Sequence, residues 1–85
     1  MKLWGKTKRD NRIVLSHVVT VQAKHADEVE DWSEPFSRLC HDMNLSRPVI
    51  LTKHVRDLEQ FRHTVFFPQD FLESVDFDKL EVEIF

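Results

Sequence analysis

RIVLSHVVTVQ, Arg12 to Gln22, decides how the rest of the chain is read. It is the longest β-branched run present, and its apolar residues alternate with the period of two that a strand requires. The odd positions Ile13, Leu15, His17, Val19 and Val21 share one face, and Val14, Ser16, Val18, Thr20 and Gln22 share the other. The richer odd face is expected to point inward. Upstream, MKLWGKTK reads as a second strand, and Arg9-Asp10-Asn11-Arg12 supplies two residues that tolerate turn geometry, so the opening is expected to be a hairpin. Gly5 inside the first strand marks a bulge or a close backbone approach.

The period changes after Gln22. Val29, Trp32, Phe36, Leu39, Cys40 and Met43 trace a helical stripe, predicting a helix over Val29–Met43. Asp31 or Ser33 is expected to cap it, which places Pro35 in or near the first turn, and Asn44 is suited to a left-handed stop. Val49–Leu51 suggests a short strand. Thr52 opens a brief helix carrying Val55, Leu58 and Phe61, and His63–Phe67 looks extended. Pro68 opens a helical turn, and KLEVEIF ends the chain as a strand with Leu80, Val82 and Ile84 on its dry face. The expected architecture is α+β, a single domain over 1–85. An antiparallel sheet of three to five strands, in the order β-β-α-β-α-β-β, carries one main helix on one face and a second short helix.

Eighty-five residues bury a thin core, and 41% apolar with 32% charged residues is an ordinary globular balance. A lone cysteine forms no internal disulfide, the charged start does not resemble a signal peptide, and no run approaches a membrane span. The expected location is cytoplasmic. The net charge of −3 is unevenly divided: up to Lys24 six basic residues face Asp10 alone, and the remainder holds six basic against fourteen acidic residues. Either the basic end meets an anionic partner, or the two ends lie side by side and neutralise each other.

Three segments, LWGKTKRDNRI (3–13), LCHDMNLSRPVIL (39–51) and QDFLESVDFDKLEVEIF (69–85), the last following Phe61-Arg62-His63, carry a resemblance to a small family of clostridial-type (Firmicutes) bacterial proteins of unknown function. It covers most of the chain outside about Ser16–Phe36, and implies a compact α+β protein with no catalytic residues to carry over. Pro35 and the run Val65–Phe67 depart from the family pattern.

The candidates for chemistry weigh against ordinary alternatives. Cys40 beside His41 suggests a nucleophile, but it sits near a helix C-terminus on the apolar stripe, where dipole and burial both oppose a thiolate. Core packing is the expected role. Histidine intervals of 8, 16, 13 and 9 give no metal-ligand spacing, so neither metal nor cofactor is implied. His17 reads as a buried neutral imidazole with hydrogen-bond partners, and His63 as part of a polar cluster with Asp70 or Glu73. The carboxylates Asp76, Asp78 and Glu81 lack the glycine of a calcium loop, and one glycine builds no phosphate cradle.

Three functions follow. The leading expectation is a non-enzymatic domain acting by protein association, with a second copy as one candidate partner and an interface at Trp4, Val14 and Val18. The first alternative is single-stranded nucleic-acid binding through Lys2, Trp4, Lys6, Lys8, Arg9 and Arg12. Against it stands a pairing in which Glu81 and Glu83 of the terminal strand oppose those lysines across the sheet. The second alternative is a small enzyme or ligand binder using Cys40, His41 and His63.

Overall fold

The computed structural model describes residues 1–85. Strand β1 (Lys2–Arg9) turns through Asp10 and Asn11 into β2 (Arg12–Thr20). Both turn residues have positive φ (53° and 63°), the two-residue geometry whose twist matches that of the flanking strands. Helices α1 (Ser33–Asp42) and α2 (Thr52–Phe61) follow, then β3 (His63–Phe66) and β4 (Lys79–Ile84). The sheet is antiparallel in the order β2-β1-β4-β3, so the first and last strands of the chain form its centre. Pairing continues past the strand ends, where Lys2 N–H donates to the Phe85 carbonyl at 2.8 Å and Phe85 N–H returns to Lys2 at 3.0 Å. No helix is long and apolar enough to cross a membrane.

The α+β class and the element order are as expected, with one strand reduced. At Val49–Leu51 the chain makes only an isolated bridge, Pro48 to Phe71, beside a bond from Val49 N–H to the Asp70 carbonyl. Proline contributes no donor there, which limits a ladder to that point.

Helix α1 begins four residues later than the Val29 expected from the stripe, and the cause is Pro35. A helix running from Val29 would hold this proline in its interior, where the ring clashes with the carbonyl four residues back. Starting at Ser33 puts it in the first turn. Asp31 fixes the entry by accepting from the Ser33 N–H and hydroxyl, bonds that hold its carboxyl below the usual carboxylate range. Asn44 (φ 58°) ends the segment as expected, and Arg62 (φ 59°) ends α2 in the same left-handed conformation.

Both helices cover one face of the sheet. Leu39 of α1 lies so close over β1 that a Cβ on Gly5 would come within 2.8 Å of its Cδ2, so glycine marks a close approach. Phe36 meets Phe66 edge-on at 5.3 Å, joining α1 to β3, and both are fully buried with Leu3, Leu58, Leu80 and Val82. In α2 the buried positions are His54 and Leu58, one turn apart, rather than the expected stripe; Val55 is half-buried and Phe61 is exposed.

The inward face of β2 also needs correction. Leu15 pairs with Thr7 but Ile13 pairs with Lys8, leaving Val14 as an extra residue in a β-bulge. Directly opposed residues share a face, so Ile13 joins Lys8 on the uncovered side. Leu15 and His17 keep their inward parity, but α1 ends at Asp42 and leaves them uncovered: Leu15 is exposed and His17 half-exposed, with Nε2 3.0 Å from the Asp42 carboxylate. Only Val19 and Val21 of that face are buried.

Gly5→Val is expected to destabilise the fold by about 1–3 kcal/mol, because Leu39 is fully buried and has nowhere to retreat. Gly5→Ala is expected to cost less, since improved strand propensity offsets part of the overlap. Denaturant midpoints for the two variants check the order.

Candidate association surface

Val21 N–H donates to the Met1 carbonyl at 2.9 Å, and Leu15 N–H turns toward Thr7 Oγ1 at 3.1 Å, so the odd residues of β2 aim their backbone groups at β1. An antiparallel ladder alternates, so Ser16, Val18 and Thr20 aim theirs away from the sheet. Arg38 of α1 donates to the Thr20 carbonyl at 2.7 Å and closes that end of the edge. The bulge at Val14 ends the regular stretch on the other side. Between them, the N–H and C=O groups of Ser16 and Val18 face outward from β2 with no neighbouring strand.

This edge is apolar on both faces. Ile13 (54% exposed), Val14 (49%), Leu15 (48%) and Val18 (41%) are contiguous with it. An apolar, unpaired edge strand is a template for strand addition, and proteins that need none shorten or charge it. The opposite edge illustrates that control, for β3 has only four residues.

Of the residues expected at an interface, Trp4 and Val18 are directly paired across β1 and β2, and Val14 is the bulged residue on the same strand. Trp4 is half-buried, edge-on to Phe85 at 6.0 Å, with Lys6 Nζ 4.0 Å over its ring. The sequence signal missed here is the bulge, because a one-residue slip inside a strand leaves no composition mark.

The residues of the nucleic-acid alternative divide in two. Lys6 and Lys8 belong to a ladder on the uncovered face: Lys8 Nζ is 3.1 Å and Lys6 Nζ 3.9 Å from Glu81 Oε1, and Lys6 lies 4.0 Å from Glu83. Lys79 completes it at 3.2 Å from Glu81. Burial alone would raise the Glu81 pKa, but the hydrogen bonds from Lys8 and Lys79 outweigh it and hold the carboxyl below its ordinary value. Lys2, Arg9 and Arg12 are exposed, and Arg9 donates to the Asp76 carbonyl at 3.2 Å.

Cys40, His41 and His63 are not brought together. Cys40 is buried in the core and burial pushes its thiol up to about 11, whereas His41 is exposed on the helix and His63 lies on β3 opposite Glu83. The histidine that meets Asp70 is His54, which the spacing did not single out. It is 1% exposed, and its Nδ1 accepts from Leu51 N–H at 2.9 Å, fixing the proton on Nε2. Nε2 lies 3.8 Å from Asp70, too far for a hydrogen bond, while that carboxylate accepts from Phe67 N–H at 2.8 Å. The ring stacks on Phe66 at 4.2 Å. One nitrogen is thus held by backbone and the other is enclosed without a hydrogen-bond partner. No three His, Cys, Asp or Glu side chains converge as metal ligands.

No family model, curated protein or solved structure matches the chain.

Desolvation lowers the His54 pKa below its ordinary 6.5, against the opposing pull of Asp70. The unfolded chain therefore takes up a proton that the folded one resists, and stability is expected to fall as pH drops below about 6.5. His54→Gln should flatten that part of the stability profile in pH-dependent denaturant titrations. Cys40 is expected to react with a thiol reagent only at the rate of unfolding; fast labelling of the native protein would contradict its burial.

Proposed function

We propose that this chain is a non-enzymatic cytoplasmic domain that works by protein association, accepting an added strand on the free edge of β2. The carrying observation is the stretch Ser16–Val18, whose outward backbone groups lack a neighbour and whose flanks expose Ile13, Val14, Leu15 and Val18. Main-chain hydrogen bonds supply the register in such a union, and the alternating apolar side chains supply burial. Trp4, locked between Phe85 and Lys6 beside Val18, presents a large rigid contact at small entropic cost. The lone buried thiol suits a reducing compartment. The ladder to Glu81 and Glu83 favours association over nucleic-acid binding, because it neutralises Lys6 and Lys8 internally.

An amide NMR map of the chain, titrated with extended peptides of alternating valine, tests the reading. The Ser16 and Val18 signals are expected to shift, and Val18→Glu and Trp4→Ala to weaken the response by about tenfold. Signals on β2 that stay in place with every peptide would defeat it.

A further inference from the structure

At the start of β2 lies the hairpin tip, where Arg9 and Arg12 are exposed beside the turn, with Asp10 between them in sequence and the Asp78 carboxylate accepting from the Asp10 N–H. At its end the chain enters a groove of about 460 Å³ lined by Val21, Gln22 and Ala23 together with Glu28, Glu30, Asp31 and Glu34. Arg38 is the one cation in that lining. It is already engaged, 2.8 Å from Glu34 and bonded to the Thr20 carbonyl, so the groove remains acidic. A strand with exposed arginines at its start, an acidic groove at its finish and an unpaired edge between them is complementary to itself when reversed.

We propose that the strand added to β2 is the β2 of a second copy of this chain, antiparallel about a two-fold axis at His17, with Arg9 and Arg12 of each copy meeting the acidic groove of the other. The proposal rests on the edge-strand reading and names its partner. The register follows from the free groups. Pairing Ser16 with Val18 of the second copy, and the reverse, uses all four outward N–H and C=O groups of those residues and stops where the Val14 bulge and the Arg38-capped Thr20 already end the regular edge. His17 then faces its own counterpart, and exposed Leu15 falls opposite Val19. Arg12 comes beside Gln22 of the second copy, at the groove. A parallel pairing would instead set arginines beside arginines and leave both acidic grooves unmet, which selects against it. The uncapped stretch is short, so the dimer is of the weak, transient class, and its charge contacts make it sensitive to salt.

Sedimentation of the full chain at low salt, from micromolar to millimolar concentration, reads the proposal. The chain is expected to dimerise reversibly and to dissociate as salt rises. The tip reversal Arg9→Glu/Arg12→Glu and the groove reversal Glu28→Arg/Glu30→Arg are each expected to weaken self-association by about tenfold or more. Mixed together, the two variants should form a heterodimer, which simple misfolding of either would not produce. His17→Cys should cross-link into a dimer on mild oxidation, since residues opposed across a non-hydrogen-bonded antiparallel pair lie within disulfide reach, and Thr20→Cys should not. A chain that stays monomeric to millimolar concentration overturns the second-copy proposal. Peptide shifts on β2 in that case would leave the edge reading standing, and their absence would remove both. A dimer that ignores the charge reversals, or that fails to cross-link at His17, overturns the stated geometry.

Discussion

The structure depends on the antiparallel pairing of β1 with β4. These are the only strands with neighbours on both sides, and each supplies one side of the core through Leu3, Leu80, Val82 and Ile84. The reciprocal bonds between Lys2 and Phe85 carry this pairing to the chain's extremities. Everything else is hung on that centre: β2 by a two-residue turn, β3 by its ladder to β4, and the helices by the face that the central strands offer.

The two faces of the central pair are held by different forces. On one, Gly5 removes the side chain that would hold Leu39 away, so α1 sinks close to the backbone and buries Phe36 and Leu39 completely. On the other, Lys6, Lys8 and Lys79 surround Glu81, and Trp4 lies beneath Lys6. Individual exposed ion pairs contribute little, but these are mostly sheltered and share one carboxylate, so they fix register and keep that face from presenting a bare apolar sheet. The uneven charge seen along the chain is thus partly resolved by folding, and the part left over lies at the two ends of β2.

The hairpin and the final strand were legible because period-two patterns at Lys2–Lys8, Arg12–Gln22 and Lys79–Ile84 are long and bounded by turn residues, whereas the sheet order β2-β1-β4-β3 is set by pairings between distant segments that no local pattern encodes. The ladder of Glu81 and Glu83 against lysines was legible for the same reason, since alternation fixes which residues face together. Cys40 followed from its place on the helical stripe. What the pattern could not supply was cover. The odd face of β2 reads as core, yet α1 is too short to reach Leu15 and His17, and a single extra residue at Val14 moves Ile13 to the other side. His54 escaped for a related reason: its burial is decided by a stacking partner, Phe66, and a backbone donor, Leu51, neither of which its spacing to other histidines reveals. The start of α1 at Ser33 agrees with the cap expected at Asp31 or Ser33 and with Pro35 in the first turn; only the apolar stripe, which runs back to Val29, extends beyond it.

The central pairing also sets the order of events when the chain acquires its shape. The β1–β2 hairpin closes across two residues and forms on the scale of microseconds, whereas contacts such as Leu3 with Ile84 must wait for a loop that spans nearly everything in between. During that wait the hairpin has two naked edges instead of one. Without β4, the lysines of β1 lack their glutamate partners, so the hairpin taken alone carries a denser positive charge than the same residues do in the finished sheet.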